Sequence, residues 1–224
     1  NGVIGFTELL RNTELDEEQQ DYVDTIEQSS ENLLTIINNI LDVSKIESNK
    51  VELEDILFNP IQDFESAVEI YVAKATEKNI DILLYIDPTL IHHLYGDITK
   101  IKEVLINLMS NAVKFTPEGG MIAVEIVRVK SDNPNEATVN FSVEDTGVGI
   151  AEDKLVNVFN AFSQADSTIT RKYGGTGLGL TISSKYVAMM GGKLEVKSTL
   201  GKGTRFYFTL TFKETQKTNA ENMF

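Results

Sequence analysis

The 224-residue chain has no cysteine and no tryptophan, and only two histidines and four prolines. Without cysteine, disulfide bonds and thiolate chemistry are excluded, which fits a reducing compartment. Basic residues are scarce: 20 Lys and Arg stand against 34 Asp and Glu, a formal net charge of −14. Such a surface repels nucleic-acid phosphates and anionic membranes, and no basic patch offsets it. No apolar run approaches the roughly 20 residues needed to span a bilayer, and the amino end carries no secretory pattern. The chain starts at Asn1, inside a helical pattern already under way. It is therefore expected to be a fragment, and its missing membrane segments say nothing of the parent protein.

What is present suits a folded protein. A hydrophobic fraction of 42% with 24% charged residues argues against wholesale disorder, and the length holds one large domain or two small ones. Residues 1–50 predict two helices. Val3, Ile4, Phe6, Leu9 and Leu10 form the apolar stripe of the first, and the short polar connection 12–16 follows. Asp16 is placed to cap the second helix, with Glu17 and Glu18 at its positive end. That helix carries Tyr22, Ile26, Ser29, Leu33, Ile36, Ile40 and Val43 at alternating four- and three-residue spacing, and a second stripe one position on. Two adjacent stripes bury a wider face than a two-stranded seam needs. One hairpin cannot cover that face alone; two copies can, as a dimeric four-helix bundle. Packing on the rest of its own chain is the alternative.

From Val51 the rhythm changes to alternating strands and helices. Strands are expected at 51–55, 80–86, 121–130, 137–144, 193–198 and 204–212, and helices at 59–77, 99–115 and 177–190. The fold class is therefore α+β: the helical hairpin, then a two-layer α/β sandwich over 51–213. Residues 214–224 form a polar tail or linker, and a hinge is expected near 46–50.

Three clusters carry candidate chemistry. Asn107 and Asn111 stand one turn apart on a helix, with Lys114 three residues on. The run Asp145-Thr146-Gly147-Val148-Gly149-Ile150 follows a strand, and Gly174-Gly175-Thr176-Gly177-Leu178-Gly179 runs into a helix. Taken singly each is weak, since asparagines on helices usually face solvent and glycines serve turns and caps. Taken together they meet the needs of a bound nucleoside triphosphate. Glycines let backbone amides approach phosphate oxygens at a helix start. Asparagine oxygens are hard ligands suited to Mg2+, and Lys114, Arg171 and Lys172 offset further phosphate charge. A buried aspartate can accept a hydrogen bond from an exocyclic amino group, which selects adenine. The pattern is neither the Rossmann fingerprint nor a Walker loop: no βαβ unit closes around the glycines, and no Gly-Lys-Ser/Thr follows them.

These segments, with Phe159-Asn160-Ala161-Phe162, resemble in order the N, G1, F and G2 boxes of histidine kinases. The resemblance implies the ATP-binding fold shared with Hsp90, MutL and type II topoisomerases. It implies that Asp145 reads the adenine amino group, that Phe115 and Ile150 line the ring, and that Asn111 with Asn107 holds Mg2+. Residues 159–175 would form the lid over the phosphates, anchored by Phe159 and Phe162, while Gly177, Leu178 and Gly179 offer backbone amides. Asn1-Gly2-Val3-Ile4-Gly5-Phe6 resembles the end of the H box, which puts the phosphoacceptor histidine seven residues before Asn1. As given, the chain would bind ATP without completing its own phosphoryl transfer. His92 and His93 match no acceptor motif. The implied activity is phosphoryl transfer to histidine for relay to a response-regulator receiver, in a cytoplasmic homodimer. The run 162–166 is similar to hybrid kinases, whose receiver lies in the same chain. An ATPase or chaperone relative, and a phosphatase-biased scaffold, remain the alternatives.

Overall fold

A computed structural model describes the chain except for Asn1, Asn49, Asp132, Pro134, residues 162–176 and residues 216–224. The chain divides after Lys50 into two compact units.

The first unit is a helical hairpin of α1 (Gly2–Arg11) and α2 (Glu17–Glu47). Asp16 accepts a hydrogen bond from the Gln19 backbone at 2.8 Å, and the Gln19 side chain accepts one from the Asp16 backbone at 3.1 Å. This reciprocal capping box explains why α2 begins where it does. Arg11, in the last turn of α1, pairs with Asp24 at 2.6 Å and Glu27 at 2.7 Å on α2. Little of the apolar stripe is covered within the hairpin. Phe6 is 71% exposed, and Leu9, Leu33, Ile36, Ile40 and Leu41 are exposed too. Among the described residues no helix is long and apolar enough to cross a membrane.

The second unit is a mixed sheet with helices. Its elements are β1 (Ile56–Phe58), α3 (Pro60–Glu69), α4 (Val72–Glu77), β2 (Asp81–Ile86), β3 (Leu94–Gly96), α5 (Ile98–Phe115), β4 (Met121–Val129), β5 (Glu136–Asp145), α6 (Glu152–Leu155), α7 (Gly179–Met189), β6 (Glu195–Thr199) and β7 (Gly203–Glu214). The strand order is β1-β3-β7-β5-β4-β2, with β6 paired to β7. Only β2 and β4 run parallel among these pairs. Alternate residues of β4, β5 and β7 are buried: Ile122, Val124 and Ile126, then Val139, Phe141 and Val143, then Phe206, Phe208, Leu210 and Phe212. The period of two aims one sheet face at the helices, whose buried residues include Phe64 of α3, Leu105 and Met109 of α5, and Tyr186 of α7. Phe141 anchors this layer, stacked on Phe208 at 4.8 Å and edge-on to Phe64 at 5.0 Å.

Two expected elements differ, and two short ones were not expected. Residues 51–55 are not a strand; pairing starts at Ile56, where β3 first supplies a partner. The acidic stretch before it is tied down by a side chain instead, with Glu54 N–H donating to Asp97 at 3.1 Å. The helix expected at 59–77 breaks at Ile70-Tyr71 into α3 and α4. The short β3 and α6 have too few residues to show a period.

Helix α5, which positions the candidate site, is fixed at both ends. Asp97 accepts from the Lys100 backbone at 2.9 Å, and Lys78 donates to the Val113 and Thr116 carbonyls at 2.6 and 3.2 Å. Asp97 is buried and serves two backbone donors, so Asp97→Ala is expected to cost about 2 kcal/mol, the upper end for a cap. Chemical denaturation of the two proteins measures the difference.

Candidate nucleotide site

The site is built around α5. At its carboxyl end, the turn after β5 is stitched to the helix and to the β6–β7 connection. Val148 N–H donates to the Phe115 carbonyl at 3.3 Å, Gly201 N–H to the Val148 carbonyl at 2.7 Å, and Ile150 N–H to Ser198 Oγ at 2.7 Å. Gly147 N–H donates to Asp145 Oδ1 at 2.8 Å. A Cβ on Gly147 would come within 2.6 Å of both Asp145 Oδ1 and the Phe115 carbonyl oxygen, so the close approach requires glycine. Gly149 has φ +68°, and a Cβ there would overlap the Thr199 carbonyl. Phe115, Asp145, Gly147, Gly149 and Ile150 are thus brought together.

Asp145 is 8% exposed. Burial pushes its carboxyl up to about 6; backbone N–H groups of Gly147 and Thr204 pull the other way, and Glu144 adds to the rise. A carboxylate so placed is short of water and suited to a polar donor on a ligand. Burial also lowers the Lys114 ammonium, whose Nζ lies 4.9 Å from the Phe115 ring centre.

Nearer the middle of α5, the start of α7 closes in. Asn107 Nδ2 donates to Ser183 Oγ at 2.8 Å, and the Asn107 carboxamide occupies the space a Gly179 Cβ would need. Gly177 has φ +69° and Leu178 is buried. Thr181 Oγ1 donates to the Phe159 carbonyl at 2.9 Å, and the Phe159 ring lies 6.3 Å from that of Phe206. Asn111 sits half-buried one turn beyond Asn107. Phe162, Arg171, Lys172, Gly174, Gly175 and Thr176 lie outside the described residues.

Among the described residues no group of three His, Asp or Glu could hold a metal. Asn107 and Asn111, one turn apart on α5, carry neutral carboxamide oxygens. Neutral oxygen donors fit a magnesium ion that also bonds phosphate and water.

Ser183, Ser198, Gly203 and Thr204 belong to this neighbourhood, and sequence reasoning did not select them. Ser198 Oγ contacts Gly203 O at 2.8 Å and Thr204 Oγ1 at 2.9 Å, a junction that only strand pairing creates. The one signal was the Gly201-Lys202-Gly203 turn.

Residues 96–214 match the family model "Histidine kinase-, DNA gyrase B-, and HSP90-like ATPase", and residues 1–49 match "His Kinase A (phospho-acceptor) domain". The chain belongs to the histidine kinases. Its helical unit and its mixed sheet domain are the two parts that family combines, as the ordered boxes imply. Hybrid signal transduction histidine kinase A of Dictyostelium discoideum is 41% identical over 95% of this chain and 10% of its own length. Sensor protein GacS of Pseudomonas syringae pv. syringae is 40% identical over all of this chain and 24% of its own. The chain thus spans a tenth to a quarter of these relatives. A crystal structure of full-length ShkA in complex with AMPPNP aligns with TM-score 0.78 and 32% identity, over 96% of this chain and 43% of that one. Histidine kinase ThkA, in complex with response regulator protein TrrA, aligns with TM-score 0.64 and 27% identity, over 93% of this chain and 56% of that one.

Proposed function

We propose that this histidine kinase core binds Mg·ATP along α5 and transfers the γ-phosphoryl group to a histidine upstream of Asn1, for relay to a response-regulator aspartate. One observation carries the proposal: two glycine-bearing turns meet the same helix, one at Phe115 and the other at Asn107. Eight residues of helix separate them by about 12 Å, a span that suits an adenosine at one end and its phosphates at the other.

Asp145 accepts the adenine amino hydrogen, and Phe115 and Ile150 flank the ring beside Gly147 and Gly149. Asn111 and Asn107 would hold Mg2+, which would offset phosphate charge. Lys114, Arg171 and Lys172 add positive charge. Gly177, Leu178 and Gly179 offer backbone amides to the phosphates at the start of α7, and Gly174, Gly175 and Thr176 belong to the same proposed ATP-binding set. In the transfer a bond forms between the γ-phosphorus and a histidine nitrogen as the bond to the β–γ bridging oxygen breaks, and ADP leaves. His92 and His93 belong to the loop before β3 and match no acceptor motif.

Residues 1–50 form the homodimer, 51–213 the ATP-binding domain and 214–224 a tail or linker. The uncovered stripe of the hairpin supports the dimer. The ThkA–TrrA complex supports a receiver partner, and the hybrid kinase among the relatives supports a receiver in the same polypeptide. Use of ATP and the absence of cysteine fit the cytoplasm.

The test is a chain extended upstream through the expected histidine and incubated with γ-labelled ATP. Acid-labile, alkali-stable label on that histidine is the expected result. ATP hydrolysis without phosphohistidine would favour the ATPase relative instead.

A further inference from the structure

Ser183 lies on α7, one turn beyond Gly179, and is 2% exposed. Its Oγ takes a hydrogen bond from Asn107 Nδ2 at 2.8 Å, across 76 residues of sequence. Gly179 and Ser183 share one helix face, and both meet the same carboxamide on α5. Gly179 supplies the space, since a Cβ there would overlap Asn107 Oδ1. Ser183 supplies the direction. With Nδ2 committed to the serine, Oδ1 is turned toward the start of α7, where the partial positive charge of the helix end favours an oxygen over an N–H. The opposite amide orientation would set two N–H groups against the amides of that helix end. Among the described residues no side chain caps α7, so this contact helps fix its start against α5.

We infer that Ser183 is a positioning residue for the phosphate end of the nucleotide site, acting through the Asn107 carboxamide. It holds Asn107 in one orientation and so sets the start of α7 against the helix face that carries Asn111. Ser183 does not touch the ligand, and the adenine end, about 12 Å away along α5, does not depend on it. The inference rests on the nucleotide role proposed for this cleft.

The experiment is calorimetry on wild type, Ser183→Ala, Asn107→Ala and the double variant, with Mg·AMPPNP and with adenosine as ligands. Loss of one such hydrogen bond is expected to raise the Kd for Mg·AMPPNP about five- to tenfold and leave adenosine binding unchanged. In the Asn107→Ala background, Ser183→Ala should add nothing. Equal losses for both ligands would reveal general damage to the fold and overturn the inference, as would losses that multiply in the double variant. Exchange of the Asn107 side-chain amide in the wild type, read by NMR, needs no variant that might fail to fold: protection supports the contact and solvent-like exchange rejects it. A wild type that binds neither ligand would overturn the nucleotide assignment itself and the role of Ser183 with it, whereas amide protection would then still report the contact alone.

Discussion

Asp145→Asn is expected to weaken Mg·ATP binding about 10- to 100-fold while making the ligand-free protein more stable. The affinity loss follows from the donors already in place. Gly147 donates to the carboxylate at 2.8 Å, and the Thr204 backbone adds a second N–H. An asparagine has one acceptor oxygen to share among these and the adenine amino group, and it brings an N–H pair into a donor-rich corner. Losing a charge-assisted bond in a buried site accounts for a change of that size. The stability gain follows from the raised carboxyl. Its folded value, about 6 against 3.8 for an ordinary aspartate, means that the folded state favours the protonated form. That contribution is fully present below pH 3.8 and disappears as the pH rises through 6, so at pH 7 the ionised group costs on the order of 3 kcal/mol. Asparagine removes the charge but fits the two N–H donors less well, leaving a net gain of about 1 kcal/mol and a Tm higher by about 2–4 °C. The same ionisation predicts that wild-type affinity falls about tenfold per unit as the pH drops below 6, a slope the variant lacks. Calorimetry from pH 5 to 8 and thermal melts of both proteins check all three expectations.

Gly203→Ala is expected to destabilise the nucleotide-binding unit by about 4 kcal/mol or more. Gly203 has φ +122°, and a Cβ there would overlap the carbonyl oxygen of Asp145 and crowd Thr146. Backbone strain for a residue with a side chain and a clash against backbone act together, and neither neighbour can rotate away. Because β7 pairs with β5 through Thr204 and Asp145, the displacement falls on the residue proposed to read adenine, and nucleotide binding should vanish with it. Gly201 is the control. It too has positive φ, +77°, but nothing lies within 4 Å of its missing Cβ. Gly201→Ala should cost only about 1 kcal/mol. Urea unfolding of the three proteins separates the two effects, and similar losses at both positions would contradict the clash.

The Asp16 cap and the strands β4, β5 and β7 were legible because each follows a local rule. A cap needs only four residues, and one buried face of a strand shows in alternate positions. The same locality failed at 51–55. Val51-Glu52-Leu53-Glu54-Asp55 alternates like a strand, yet no neighbour offers it a ladder, and Asp97 takes its backbone N–H instead. The break at Ile70-Tyr71 was hidden for a related reason, since no glycine or proline stands near it. The glycines at 147, 149 and 179 could be picked out as special, but not the atoms that make them so. Those atoms are the Phe115 carbonyl, the Thr199 carbonyl and the Asn107 carboxamide, each distant in sequence.

Composition and pattern alone determined that this protein is a folded, acidic, cysteine-free chain with a helical hairpin, an α/β unit and an ordered set of nucleotide-site motifs. These follow from residue chemistry and from periods of two and 3.6 written along the chain. Only the tertiary structure decided that Asp145 is buried enough to hold its proton to about pH 6, that Gly203 lies against its carbonyl, and that Ser183 orients Asn107. Desolvation, steric overlap and a hydrogen bond between helices depend on which atoms meet across dozens of residues, and no local pattern encodes that.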